Sequence, residues 1–210
     1  YTLSRHDALP ISLRTGRLNA IFTDEDTAAW LLDQIGQDYD LVPAGRGFGP
    51  TDTPEFLALN PFGKVPVVQD GDLAVWESNA VLRYLARRFD ATALWPADAA
   101  GQSRIDRWMD WASISLTPPL TRLRKARAAG KGDDADLPAI VTGFALLDQQ
   151  LARHDFIAGP ELSLADITAA PSVHRWFLLD GERLVLPHLE AYARRLAGFP
   201  GYVRHIQGLS

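Results

Sequence analysis

A proline set inside an apolar run, and an acid–hydroxyl pair a little further along, are the residues of this sequence with the clearest chemical use. The first stretch reads Asn60-Pro61-Phe62-Gly63-Lys64-Val65-Pro66-Val67-Val68, and after Asp70-Gly71-Asp72 comes Trp76-Glu77-Ser78-Asn79-Ala80. Pro66 removes a ladder donor and restricts Val65, so it belongs at a bulge, an edge or a cis turn. A cis bond would turn the Val65 backbone N–H and C=O outward, free to pair with an extended, peptide-like ligand. Glu77 and Ser78 stand where a strand signal ends and a helix signal begins. Helix N-termini present unpaired N–H groups and partial positive charge, and a serine hydroxyl adds to such an anion site. Glu77 beside it supplies a negative charge for an ammonium group. Together they suit an α-amino acid head group joined to an extended peptide. Taken alone, Ser78 as a helix cap and Glu77 as a first-turn acid account for the pair equally well; the whole block at this spacing is more specific.

The elements that must hold these residues form two sets. Leu13 to Thr15 is read as a short first strand, Asp24 to Ile35 as a helix with Ala28, Leu31, Leu32 and Ile35 on one face, and Tyr39 to Val42 as a second strand. Pro43 to Thr53 is a Gly- and Pro-rich loop, and Pro54 to Leu59 a short helix. Val65 to Val68 and Leu73 to Trp76 form a hairpin around Asp70-Gly71, and Glu77 to Phe89 is a helix. This is a small α/β layer with a mixed sheet. Beyond it helical spacing predominates: Arg104 to Ser115, Ala139 to His154, Ser163 to Phe177 and Leu189 to Leu196. The expected domains are 1–89, a linker at 90–96 and an all-helical domain at 97–210.

With 210 residues, 47% of them hydrophobic, the chain can bury a real core. A net charge of −5 argues against nucleic acid as a partner. The absence of cysteine excludes disulfides, thiolate metal sites and a cysteine nucleophile. No run approaches the ~20 apolar residues of a membrane helix, and no secretory pattern opens the chain. The expectation is a cytoplasmic protein with neither membrane nor metal.

The block from Asn60 to Tyr84, within a match running from about Trp30 to Arg88, closely resembles the N-terminal domain of the soluble glutathione transferase superfamily. The resemblance implies a thioredoxin-like first domain, with the residue before a cis-proline pairing with the cysteinyl unit of glutathione and a Glu-Ser pair binding its γ-glutamyl end. Those roles fall on Val65, Pro66, Glu77 and Ser78, with Lys64 in the same set. In the second half, Leu162-Ser163-Leu164-Ala165-Asp166-Ile167 resembles the family's buried helix start, Ser163 and Asp166 forming a capping box with a structural role. Trp95-Pro96, Arg107 to Trp111 and His174-Arg175-Trp176 resemble a bacterial branch. The resemblance further implies glutathione as co-substrate, a small-molecule electrophile, a role in detoxification and a two-fold homodimer.

The implied reaction delivers a thiolate to an electrophile, so the thiol must lose its proton near neutral pH. A donor at the start of the first helix, helped by the helix dipole, stabilises the thiolate. Lowering a thiol by two pK units corresponds to roughly 2.7 kcal/mol. Family members carry Tyr, Ser or Cys for this task after the first strand. Thr15 to Thr23 contains none of them, although a Ser is expected near Ala20. Asn19 can donate an amide hydrogen bond and Thr15 or Thr23 a hydroxyl; alternatively none of them acts. Asp24, Glu25 and Asp26 crowd the helix start and oppose a nearby thiolate, with Arg17 as a partial offset. Trp108, Trp111, Leu116 and Pro118 are the candidates for an electrophile pocket between the domains, although Trp and Leu at helical spacing also suit a core. His174 reads as a structural residue.

Residues 2–12 resemble, except at Arg5, the translation of a sequencing-adapter oligonucleotide, and the chain opens on Tyr1. This suggests a foreign segment in place of the true start; the other reading is an unusual first strand. Three functions compete: a glutathione transferase acting on small apolar electrophiles, a non-catalytic binding or regulatory module of the same fold, and a glutathione-dependent isomerase or dehalogenase.

Overall fold

The computed structural model describes residues 18–22, 26–45, 47–131, 134–179 and 184–208. The first layer runs β1 (Asn19–Phe22), α1 (Thr27–Gln34), β2 (Asp40–Pro43), α2 (Pro54–Leu59), β3 (Val67–Asp70), β4 (Leu73–Trp76) and α3 (Ser78–Arg88). Its four strands lie in the order β2-β1-β3-β4. β1 is parallel to β2, with α1 as the crossover, and antiparallel to β3, which is antiparallel to β4. This is the mixed sheet of a thioredoxin-like layer. Ala20, Val68 and Phe22 enter the main core with α1 and α3, while Ile21 and Val67 pack with Phe56 and Ala44 on the other face. That alternation is the period-two signature of a sheet covered on both sides.

The sequence does not mark β1 as a strand. The expected strand at Leu13 to Thr15 lies outside the described residues, as do Thr15, Arg17, Thr23, Asp24, Glu25 and the adapter-like segment. Asn19-Ala20-Ile21-Phe22, read as the stretch after the first strand, is itself the strand, and its four residues are buried. That β1 goes unmarked has a physical cause. A fully buried central strand carries no polar–apolar alternation, so periodicity does not mark it.

The second layer is helical: α4 (Ala99–Trp111), a π segment (Ala112–Leu116), α5 (Thr117–Ala128), α6 (Leu137–Leu151), α7 (Leu164–Phe177), α8 (Pro187–Leu196) and α9 (Pro200–His205). α4, the π segment and α5 follow one another without a loop. The Thr117 amide bonds back to the Ala112 carbonyl, a wider ring than the α-helical one. Pro118 and Pro119 follow directly and lack the N–H groups an α ladder needs, which accounts for the local change of register. α5 and α9 were not foreseen. α5 is polar with two prolines in its first turn, and α9 is only one short helix.

Asp166 sits at the first turn of α7, fully buried. Its carboxylate accepts from the Ile157 N–H (2.9 Å), the Ser163 N–H and hydroxyl (2.8 Å each) and the Tyr192 hydroxyl (2.9 Å). One side chain thus ties α7, α8 and the 156–163 loop together, in keeping with the structural role expected of this motif. α9 returns across α1, where Trp30 meets Tyr202 edge to face at 5.6 Å.

Candidate functional site

The register of the sheet decides which residues share an end. Ile21, Val67 and Trp76 form one row across β1, β3 and β4. Just beyond that row, on the same side, lie Phe22 leading to α1, Pro66 and Val65 leading into β3, and Glu77 and Ser78 opening α3. Neighbouring strands lie about 4.8 Å apart, so this end spans roughly 10 Å from β1 to β4. Three extended residues span about 10 Å. The end of the sheet and a tripeptide have the same length.

Val65–Pro66 is a cis peptide bond. Val65 is half-buried and Pro66 buried, and no backbone hydrogen bond to Val65 occurs among the described residues. The loop before it is braced by Asn60, which is 3% exposed. Its amide donates to the Lys64 carbonyl at 2.7 Å, and its side-chain oxygen accepts from the Phe62 N–H at 3.0 Å. Gly63 has φ +61°, and a Cβ there would lie 3.0 Å from the Thr51 carbonyl oxygen. The turn thus needs glycine both for its backbone and for its space. Lys64 itself is exposed.

Glu77 is held at φ 69°, ψ 122°, an uncommon conformation for a residue with a Cβ, and as the N-cap of α3 its side chain makes no capping hydrogen bond among the described residues. α1, α2 and α4, by contrast, are capped by Asp26, Thr53 and Asp98. The first-turn amides of α3, which a helix N-terminus leaves without intrahelical partners, lie beside the exposed Glu77 and Ser78. α3 is fixed to the sheet from its other end: Asp70 accepts from the Tyr84 hydroxyl (2.7 Å) and from Arg88 (2.8 Å). These two donors hold the Asp70 carboxyl below its ordinary range.

Asp26 caps α1, accepting from the Ala28 N–H at 2.8 Å. Burial pushes its pKa up to about 6, against the lowering effect of the Ala28 N–H, the Thr27 hydroxyl and His205.

Asn19, the candidate amide donor, lies inside β1. It is 5% exposed and pairs with Asp40 and Gln69 at the start of β1, about 10 Å of strand from the end that enters α1. Ala20, where a Ser was expected, is wholly buried in the strand. The junction of first strand and first helix falls at 23–26, and of these only Asp26 is described.

The expected pocket residues also divide. Leu116 is 1% exposed and belongs to the core, close against Gly143 of α6, so it lines no open surface. Trp108 and Trp111 stack edge to face at 5.3 Å and pack against the same core. The residues that reach α3 are others. Asp106 and Asp110 hold Arg83 at 2.6 and 2.8 Å, and Met109 and Ser113 bond to Asn79. At 100° per residue these four share one side of the helix, and Trp108 and Trp111 lie round toward the other. Pro118 is half-buried in the first turn of α5. Ser113 and Ile114 are exposed, Ile114 at 73%. A cavity of about 550 Å³ exists elsewhere, lined by Trp176, Phe177, Leu184, Leu186 and Arg194, away from the sheet end described above.

Asn60 and Asn79 are the residues that the sequence left without a role. Asn60 carries a local signal, since Asn-Pro followed by Gly marks a turn. Asn79 carries none, because its partners lie far along the chain. Among the described residues no His, Asp and Glu cluster has the makings of a metal site, and no helix is long and apolar enough to cross a membrane.

Comparison with known proteins finds the same two-domain fold. Residues 22–87 match the family described as glutathione S-transferase, N-terminal domain, and residues 134–207 its C-terminal domain. The chain is 32% identical over 178 residues to glutathione S-transferase GstB of Escherichia coli K12, covering 80% of this chain and 86% of the relative. It is 29% identical over 163 residues to elongation factor 1-gamma 3 of rice, Oryza sativa subsp. japonica, covering 73% of this chain and 39% of that protein. The fold superposes with a TM-score of 0.82, at 33% identity, on the theta class glutathione S-transferase of Xanthomonas axonopodis pv. citri solved with glutathione bound, covering 92% of this chain and 98% of that one.

Proposed function

The chain belongs to the glutathione S-transferase family, and from that premise we propose that it joins the thiol of glutathione to small apolar electrophiles. The observation that carries this reading is the shared sheet end, where Val65, with no backbone partner among the described residues, and the mouth of α3, where Glu77 makes no capping bond, lie by strand spacing within about one tripeptide length. In this reading the cysteinyl N–H and C=O pair with Val65 across the Val65–Pro66 turn. The γ-glutamyl carboxylate takes the first-turn amides of α3 and the Ser78 hydroxyl, and Glu77 takes the ammonium group. Lys64 faces the glycyl carboxylate. The electrophile lies against Ser113, Ile114 and Pro118, with Trp108 and Trp111 behind them.

The chemistry asked of the protein is to hold the thiolate and the electrophile together and to favour loss of the thiol proton. The first-turn dipole of α1 contributes, and the acids at its mouth oppose it. The molecule is proposed to act as a homodimer.

A second reading, a binding or regulatory module without turnover, has two observations in its favour. Residues 13–27 contain no Tyr, Ser or Cys. The similarity to an elongation factor subunit is also to a protein not named as a transferase. Calorimetric titration with glutathione, followed by turnover of an activated aryl halide, separates the readings. Binding at millimolar concentration or tighter with turnover above the uncatalysed rate is expected, from a species of twice the 23.1 kDa chain mass. Glu77→Ala and Ser78→Ala are expected to weaken glutathione binding by about 1–3 kcal/mol each. Binding without turnover selects the module, and no binding removes both readings.

A further inference from the structure

Asn79 is the second residue of α3, immediately after Ser78, and its side chain is fully engaged across the molecule. Its amide nitrogen donates to the Met109 carbonyl and to the Ser113 hydroxyl, each at 3.1 Å, while its oxygen accepts from the Thr168 hydroxyl at 3.1 Å. The three partners lie in α4, the π segment and α7. An Asn in the first turn of a helix ordinarily serves its own backbone. Here it serves three elements remote in sequence.

The two donated bonds fall where the α ladder of α4 gives way to the π segment. That segment has a looser hydrogen-bond register than the helices around it, and its place is set by what grips it from outside. Ser113, held by Asn79, is next to Ile114, which at 73% exposed is the most open large apolar side chain of this region. The backbone that carries Asn79 also carries Ser78. Asn79 is thus a direct side-chain link between the turn that carries Ser78 and the Ser113–Ile114 wall.

We propose that Asn79 is a positioning residue that locks the wall for the second substrate to the turn that anchors glutathione. This rests on the function proposed above and adds a residue and a coupling to it. Arg83 joins the same two helices through Asp106 and Asp110, but one turn further on, and it leaves the π segment free.

The test uses two probes, glutathione and S-hexylglutathione, whose alkyl chain enters the electrophile's space. Their affinity ratio reads the placement of the wall independently of the glutathione site. In the unaltered protein the hexyl chain is expected to tighten binding about tenfold or more, from burial of several methylene groups. Asn79→Ala and Asn79→Asp, which both lose the two donated bonds, are expected to shrink that gain by about threefold to tenfold, the effect of one or two hydrogen bonds. Ser113→Ala, a change at an exposed side chain, is expected to act in the same direction and serves if the Asn79 variants do not fold. Thr168→Val, which spares both donated bonds, is expected to keep the gain.

A gain unchanged in Asn79→Ala and Ser113→Ala would overturn the coupling while leaving glutathione binding intact. An equal loss in Thr168→Val would overturn it too, since that pattern is general loosening. If the unaltered protein binds neither probe, the function itself falls, and the coupling with it.

Discussion

Asp26 serves two ends that pull against each other. As the cap of α1 its carboxylate satisfies the Ala28 N–H, yet burial holds its pKa up at about 6. A carboxyl raised in the folded state binds more protons than in the unfolded chain between about pH 4 and 6. Its contribution to stability is greatest below the unfolded value and declines as pH rises through 6. Asp70 has the opposite sign. Its pKa is lowered by the Tyr84 and Arg88 donors, so its contribution is present above the ordinary carboxylate value and is lost in acid. Asp26→Asn keeps a good capping side chain and abolishes the charge. Denaturant unfolding is expected to find this variant more stable than the parent at pH 7, on the order of 1–2 kcal/mol, with the difference closing toward pH 4. The same variant is expected to lower the thiol pKa read from the pH dependence of kcat/KM by about half a unit to one unit, the reach of one charge across a partly solvated site. A difference between variant and parent that stays the same from pH 7 to pH 4 would place the Asp26 carboxylate in water.

α1 is held from both sides, and the tighter side is α9. A Cβ on Gly201 would collide with the Trp30 indole. Arg204 and His205 of α9 reach Asp33 of α1 at 2.7 and 2.9 Å. Gly201→Ala is expected to destabilise the fold by about 1–3 kcal/mol through overpacking, seen as a lower unfolding midpoint, and to weaken glutathione binding only in so far as α1 shifts. An unchanged midpoint would show that α9 gives way without cost. Amphipathic elements such as α1, α3 and α7 were legible, because one face is apolar at helical spacing. The hairpin was legible from Asp70-Gly71 between apolar runs. β1 was not, since all four of its residues are buried and an interior strand leaves no alternation to read. Asn19, the candidate thiol donor, stands at the opposite end of that strand from α1. α5 escaped because Pro118 and Pro119 resemble a break, though proline suits the first turn of a helix.

Across the whole molecule the site is a product of topology. Reversal of strand direction at β3 and β4 brings the entry to β3 and the exit from β4 to the end of the sheet where β1 also exits. Residues separated in sequence thereby meet along one edge. The cis-proline turn and the helix mouth proposed to face glutathione were legible because their signals are local to each turn: a proline in a strand, and an acid and a hydroxyl where a helix begins. The surface proposed for the electrophile was not, because Trp108 and Trp111 pack against the core while the bonds that join Asn79 to Met109, Ser113 and Thr168 link residues no local pattern relates. The central claim is that one tripeptide bridges Val65 and the mouth of α3. A crystal structure of the protein grown with millimolar glutathione measures it directly. The account predicts the cysteinyl unit hydrogen-bonded to the Val65 backbone and the γ-glutamyl carboxylate within reach of the Ser78 amide and hydroxyl. Glutathione seated elsewhere, or bound with either of those two anchors unused, would contradict it.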